Sequence, residues 1–160
     1  MKDNLTLLTF SLDQVLYAID IHEVQEVVLL PELTPFADGP SFVSGIFNLR
    51  DHMVTAIDLR QRLGLKGRPW DIRNAVLIIA SKEKLYGLIV DEALSLIALS
   101  NLEIEAAPDL SPFTGSAQGK FVLAVGKLNG RLIPILNLSR ILTVVEPTGF
   151  SDWQTKEQHD

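Results

Sequence analysis

Residues 42–63, FVSGIFNLRDHMVTAIDLRQRL, recur 79 positions later as residues 121–142, FVLAVGKLNGRLIPILNLSRIL. Phe42/Phe121, Val43/Val122, Leu49/Leu128, Leu59/Leu138 and Leu63/Leu142 are identical, and positions 46, 53, 54, 56 and 57 are apolar in both copies. Ordinary composition gives about one identity over this length, at ~6% per pair. The matches therefore mark a duplication. A second pair of segments, LYAIDIHEVQEVVLL at 16–30 and LYGLIVDEALSLIAL at 85–99, aligns at a shift of 69 and matches Leu16/Leu85, Tyr17/Tyr86, Glu23/Glu92 and Leu30/Leu99. The difference between the two shifts places an insertion between Leu99 and Phe121, where APDLSPFTGSAQG has the composition of a loop. Two copies are too few for a solenoid, which needs about three repeats to bury a core. The duplication predicts two similar small units packed face to face.

Within each copy the apolar residues alternate with period two. Leu8, Phe10 and Leu12 alternate with Thr9 and Ser11, Asp13-Gln14 offers a turn, and Val15, Tyr17, Ile19 and Ile21 resume the alternation. Val24 to Leu30 reads as a further strand stopped by Pro31, and 35–41, with two prolines and a glycine, as a loop. Strands over 42–49 and 53–58 are separated by Arg50-Asp51-His52, whose counterpart in the second copy is Asn129-Gly130, the strongest short hairpin signal in the chain. A hairpin tip is therefore expected at Arg50-Asp51, at a cost of about 1 kcal/mol for left-handed backbone without glycine. Only 59–63 and 138–142 read as helical, each about a turn and a half.

Short strands with turns between them predict an all-β fold with short helical turns: two five-stranded SH3-like or OB-like barrels related by approximate twofold symmetry, with an apolar seam between them. The expected boundaries are 15–65 for the first barrel and 75–143 for the second, with strand 5–12 packing on either. Together they form one domain over 1–145, followed by a mobile tail over 146–160.

With 47% hydrophobic and 21% charged residues among 160, the chain can bury a real core. Its longest apolar run, 75–80, is far short of the ~18 residues that span a bilayer, and MKDNLTLL lacks a basic region followed by an apolar stretch. These features predict a cytoplasmic protein without membrane insertion. The absence of cysteine excludes disulfides, thiolate metal sites and cysteine nucleophiles. The net charge of −6, with no basic cluster, argues against nucleic acid.

Chemistry finds little foothold. His22, His52 and His159 share no metal-ligand spacing, so no metal is expected. Asp20 and Asp58 close apolar strands and could form an acid–base pair, but aspartates at strand ends commonly accept backbone N–H groups. The second copy has Asn137 in place of Asp58, which can cap but cannot titrate. Phosphate-binding loops and nucleophile elbows are absent. No enzymatic activity and no cofactor are expected.

What the residues leave is surface. The strand over 24–28 puts Val24, Glu26 and Val28 on one face and Gln25 and Val27 on the other, Gly45 permits a close approach or a bulge, and Arg50 stands at a tip.

From 45 to 65, GIFNLRDHMVTAIDLRQRLGL resembles the CheW-like family of chemotaxis coupling proteins, whose pattern G-V-x-N-L-R-G-x-x-V-P-V-x-D-L-R is met directly at Asn48, Leu49, Arg50, Asp58, Leu59 and Arg60. The resemblance extends to TFSLDQVLYAIDIHEVQEVV at 9–28, GLIVDEALSLIALS at 87–100, APDL at 107–110 and KLNGRLIPILNLSRIL at 127–142. It departs at Asp51, where the family has glycine, and at Val54-Thr55-Ala56, where it has V-P-V. Asp51 also offers Arg50 an acidic partner within the chain.

The resemblance implies a non-catalytic adaptor joining the cytoplasmic tip of a methyl-accepting chemoreceptor to the regulatory domain of a CheA-type histidine kinase, and so associated with membrane receptor arrays. A receptor hairpin would lie in the groove between barrels, and one barrel would pack end to end on the kinase domain. It further implies apolar contacts at Val24, Val27 and Leu96, charge pairing at Glu26, and docking around Gly45, Leu49 and Arg50. Other readings are an adaptor specialised for surface or pilus motility, or a small-ligand sensor using the inter-barrel groove.

Overall fold

Four antiparallel hairpins with two-residue tips organise the described residues. In the computed structural model, which describes residues 4–36, 38–107 and 121–143, β1 (Asn4–Leu12) turns into β2 (Val15–Asp20) at Asp13-Gln14. A 3-10 turn (Ile21–Glu23) leads to β3 (Glu26–Leu29), followed by β4 (Val43–Leu49), the Arg50-Asp51 tip, β5 (His52–Asp58) and helix α1 (Leu59–Arg62). Next come β6 (Ala75–Ser81), the tip Lys82-Glu83, β7 (Lys84–Val90), β8 (Glu92–Ser100), a second 3-10 turn (Asn101–Glu103) and β9 (Ile104–Ala106). Strands β10 (Val122–Leu128) and β11 (Arg131–Leu136) meet at Asn129-Gly130, and α2 (Leu138–Leu142) closes the described chain. At every tip residue φ is positive, from 47° at Arg50 to 79° at Gly130, so that the turn follows the strand twist. Only one of the four tips uses glycine to do so.

The strands form two sheets, ordered β8-β1-β2-β11-β10-β9 and β3-β6-β7-β5-β4. The repeat aligns β2 with β7, β3 with β8, β4 with β10 and β5 with β11, which makes β6 the counterpart of β1. Under that mapping the second order reads β8-β1-β2-β11-β10, the first sheet without β9. Each sheet therefore takes its first hairpin from one copy and its remaining strands from the other. The joins are equivalent parallel pairs, β2 with β11 and β5 with β7.

Two similar all-strand units are present, but the expected boundaries require correction. Strand β2, assigned to 15–65, lies beside β11, and β6 and β7, assigned to 75–143, lie between β3 and β5. Strand β1, left open between the units, pairs with β2 and β8. The physical reason is that β2 and β7 are apolar on both faces, so local pattern does not say across which edge they bond. One ladder has six strands and the other five, and both are open, edged by β8 and β9 and by β3 and β4. Each sheet nevertheless wraps its own cluster, Phe47, Val54, Ala56, Val76, Ile78 and Ile89 in one and Leu7, Ala18, Leu99, Ile133 and Ile135 in the other. The expected tail lies outside the described residues.

The seam between the units is filled. Phe10, Tyr17 and Ile19 from one sheet meet Ile57, Leu77, Leu88 and Val90 from the other, with Leu59, Leu63, Leu138, Ile141 and Leu142 from the helices. Side chains of this kind contribute about 1.5–3 kcal/mol each when fully buried, so the central cluster binds the two units into one body. Both helices are capped alike: Asp58 Oδ1 accepts the Gln61 N–H at 3.2 Å and Asn137 Oδ1 the Arg140 N–H at 3.3 Å. The expectation that Asp58 serves a turn holds.

Candidate docking surface

The D-L-R motif proves to be architecture. Asp58 caps α1, Leu59 is in the central cluster, and Arg60 is 2% exposed beneath Trp70, its guanidinium carbon 3.7 Å from the ring centroid. Arg60 Nε donates to Asp91 Oδ1 at 2.8 Å and Nη1 to the Arg68 carbonyl at 3.0 Å. Asp91 also accepts from the Asp13 N–H at 2.7 Å and from Arg68 Nη2 at 3.0 Å. The β1–β2 tip, α1 and the connector are thereby tied to the start of β8.

The N-L-R residues lie at the surface. Leu49 is half-buried against the cluster of its own sheet, Asn48 is exposed, and Arg50 extends from the tip to form an ion pair with Glu26 on β3. The partner of Arg50 is therefore Glu26 and not the adjacent Asp51. Beside the pair on β3, Val27 is 43% and Leu29 71% exposed, while Glu26 and Val28 are half-buried, as the alternation predicts. Val24 is half-buried and packs on the central cluster, as does Ala93 at the equivalent position.

Gly45 is buried, which corrects its expected place on the surface. It sits at a bulge with φ of +152°, and a Cβ there would lie 2.4 Å from the Thr34 carbonyl oxygen. Its role is to admit the 33–35 segment against β4, where Thr34 and Ile46 exchange backbone hydrogen bonds at 2.8 and 2.9 Å. Leu96, 58% exposed on β8, is the repeat counterpart of Val27. The structure thus joins Glu26 and Val27, on one edge strand of the five-stranded sheet, through the Arg50–Glu26 pair to Leu49 and Arg50 at the tip of the opposite edge hairpin, and puts Leu96 on the equivalent edge strand of the other sheet.

Sequence reasoning missed Leu29 and Leu94, exposed on the same two edges, and an exposed pair formed by Val15 and Leu132. Ala18 lies opposite Ile135 in the parallel β2–β11 pair, and the same register carried three residues back along both strands brings Val15 next to Leu132. Alternation from Val27 and Leu96, both named from the sequence, could have added Leu29 and Leu94, whereas the Val15–Leu132 pair required knowledge of a parallel contact between strands more than a hundred residues apart.

Two clefts flank the helices at repeat-equivalent places. The larger, about 640 Å³, is lined by Ser11, Arg60, Arg68, Asp91, Glu92 and Leu94, and the smaller, about 340 Å³, by Ala80, Ser139, His22, Glu23 and Gln25 among others. The seam that a small-ligand sensor would use is occupied by the central cluster, and in the larger cleft Arg60 and Arg68 already bond Asp91 while Arg73 bonds Asp71. Burial and the neighbouring Asp20 push the Glu23 carboxyl up. Burial also pushes Asp58 up, against the hydrogen bonds it accepts from Gln61 and Trp70. No group of three or more potential metal-ligating side chains occurs among the described residues.

A CheW-like domain model matches residues 6–146. The chain belongs to the CheW-like family. It is 28% identical over 139 residues to the chemotaxis protein CheW of Klebsiella aerogenes, covering 87% of this chain and 82% of that protein. Against the chemotaxis protein CheW of Bacillus subtilis it is 30% identical over 109 residues, 68% of this chain and 70% of that one. The crystal structure of the scaffolding protein TtCheW from Thermoanaerobacter tengcongensis superimposes with a TM-score of 0.78 at 31% identity, covering 88% of this chain and 93% of that one. The structural likeness covers the interleaved double sheet.

Proposed function

We propose that the protein is a non-catalytic adaptor of chemotaxis-type signalling that joins the cytoplasmic tip of a methyl-accepting chemoreceptor to the regulatory domain of a CheA-type histidine kinase. The observation that carries this reading is the β3 edge, where the Glu26–Arg50 pair stands beside exposed Val27 and Leu29 in a chain of the CheW-like family. A solvent-facing ion pair adds only about 0–1 kcal/mol to a fold, and aliphatic side chains held in water beside it gain only when a partner covers them. Apolar anchors next to an arginine have the composition of binding hot spots.

The repeat supplies a second edge with Leu94 and Leu96, and the Val15–Leu132 pair offers an apolar face beside two hairpin tips. One molecule with several distinct apolar faces suits bridging of two partners better than binding of one. No helix among the described residues is long and apolar enough to cross a membrane, so placement at a receptor array would come through protein partners. The test is titration with a purified CheA-type regulatory domain by calorimetry. Saturable binding that weakens at least ~1 kcal/mol in Arg50→Ala or Val27→Asp, with unchanged melting of the variants, supports the reading. Unchanged affinity in both rejects this surface.

A further inference from the structure

We propose that Asn48 is a positioning residue that holds Arg50 in its docking geometry by bracing the hairpin tip. This rests on the reading of Arg50 above. Arg50 and Asp51 are consecutive non-glycine residues at φ of 47° and 69°, a conformation L-residues adopt reluctantly. Strand pairing imposes that backbone, and an acceptor for a tip N–H lowers its cost. The Asp51 N–H donates to Asn48 Oδ1 at 3.0 Å, three residues back in the chain. The Asp13-Gln14 tip, likewise without glycine, has the same kind of brace: the Asp13 N–H donates to Asp91 Oδ2 at 2.7 Å.

The second copy supplies the control. Its tip, Asn129-Gly130, has glycine at the second position, and the residue matching Asn48 is Lys127, whose ammonium pairs with Glu105 at 2.8 Å. An ammonium cannot accept a hydrogen bond, so where glycine removes the strain no acceptor is kept. Asn48 is exposed and belongs to none of the three apolar clusters. Its carboxamide therefore acts locally, fixing the turn from which the Arg50 guanidinium reaches Glu26.

The test compares Asn48→Leu, which removes the acceptor, with Asn48→Asp, which keeps it, and with Asn48→Leu combined with Asp51→Gly. Two readouts are taken: amide exchange at Asp51 with the Arg50 Nε resonance, which need no partner, and affinity for a CheA-type regulatory domain. Asn48→Leu is expected to speed Asp51 exchange about tenfold and to shift the Arg50 resonance, and to weaken binding several-fold. Both Asn48→Asp and the added Asp51→Gly restore the wild-type values, and in an Arg50→Ala background Asn48→Leu has no further effect on affinity.

Unchanged exchange and resonance in Asn48→Leu overturn the brace. An equal loss of affinity with and without Arg50 shows that Asn48 does not act through it, which also overturns the proposal. If Arg50→Ala leaves affinity unchanged, the docking role of Arg50 falls and with it this one, a result distinguished from failure of the brace by an Asp51 amide that still responds.

Discussion

Arg62 Nε donates to the carbonyl oxygen of Ile141, its own counterpart in the repeat, at 2.8 Å. A residue can touch its repeat mate only where the symmetry axis passes, so this bond locates the pseudo-dyad between α1 and α2. Around it Arg62 Nη2 also donates to the Arg140 carbonyl at 3.1 Å, and the guanidinium lies 4.7 Å from the Phe42 ring and 4.6 Å from the Phe121 ring. Those two phenylalanines are themselves an identical pair of the duplication. Both carbonyls belong to the last turn of α2, the Arg140 one also accepting the Thr143 N–H, and a cation is well placed there.

Arg62→Met should therefore cost about 2–3 kcal/mol, from the loss of charged hydrogen bonds and cation–π contacts. Arg62→Lys should recover less than half of it, because an ammonium cannot serve two carbonyls and two rings at once. Urea unfolding of the three proteins checks the order.

Gly45 was expected at the docking surface, and the structure gives it another task. With φ of +152° and the Thr34 oxygen 2.4 Å from an ideal Cβ, Gly45→Ala must displace the 33–35 segment or open the bulge. A loss of at least ~2 kcal/mol in stability follows. Partner affinity measured well below the melting transition should change less than in Arg50→Ala. A variant that melts normally yet fails to bind would return Gly45 to the surface.

Asp58 makes a pH prediction. Burial raises its pKa in the folded protein, so the folded state holds this proton more tightly than the unfolded chain does. The corresponding stability is fully present below the ordinary carboxylate value and is lost as pH rises through the folded one. Asn137 shows that an amide caps the equivalent helix, so Asp58→Asn keeps the cap and removes the titration. At neutral pH the variant forfeits the bonds that Asp58 Oδ2 accepts from Trp70 Nε1 and Gln61 Nε2, since an amide NH2 accepts nothing, so the check is the slope: the stability difference should move toward the wild type as the solution is acidified from about pH 6 to 4. Parallel stability curves for the two proteins would contradict the assignment.

The duplication, the all-strand class and three of the four hairpin tips were legible because they are local: period-two alternation and turn chemistry act within ten residues. The Lys82-Glu83 tip was not singled out, since neither residue carries a turn signature and the left-handed backbone there is imposed by pairing of β6 with β7. The exchange of hairpins between sheets was hidden for a related reason. Tyr17 and Ile19 face the central cluster while Leu16 and Ala18 face the cluster of their own sheet, and a strand buried on both sides carries no mark of its neighbour. Of the surface residues, Glu26, Val27 and Arg50 came from motif position. Their meeting came from the Arg50–Glu26 pair between the two edge elements of the five-stranded sheet, β3 and the β4–β5 hairpin, which only the fold reveals.

The two edge strands provide the sharpest test of adaptor function, because Val27 and Leu96 occupy equivalent positions on different sheets and neither is needed to fill a core. Val27→Asp and Leu96→Asp should each leave the melting temperature within a few degrees of wild type, as exposed substitutions do. A protein bridging two partners should show divergence: one variant loses affinity for the kinase regulatory domain by at least ~1 kcal/mol, the other loses capture by a receptor tip fragment, and each keeps the binding the other has lost. Val24→Asp is a poorer probe, since Val24 packs on the central cluster and a carboxylate there would unsettle the fold itself. Should both edge variants lose the same partner and keep the other, a single surface serves both edges and the two-face arrangement is wrong. Should neither lose either partner, binding lies elsewhere, and the exposed Val15–Leu132 pair becomes the next surface to substitute.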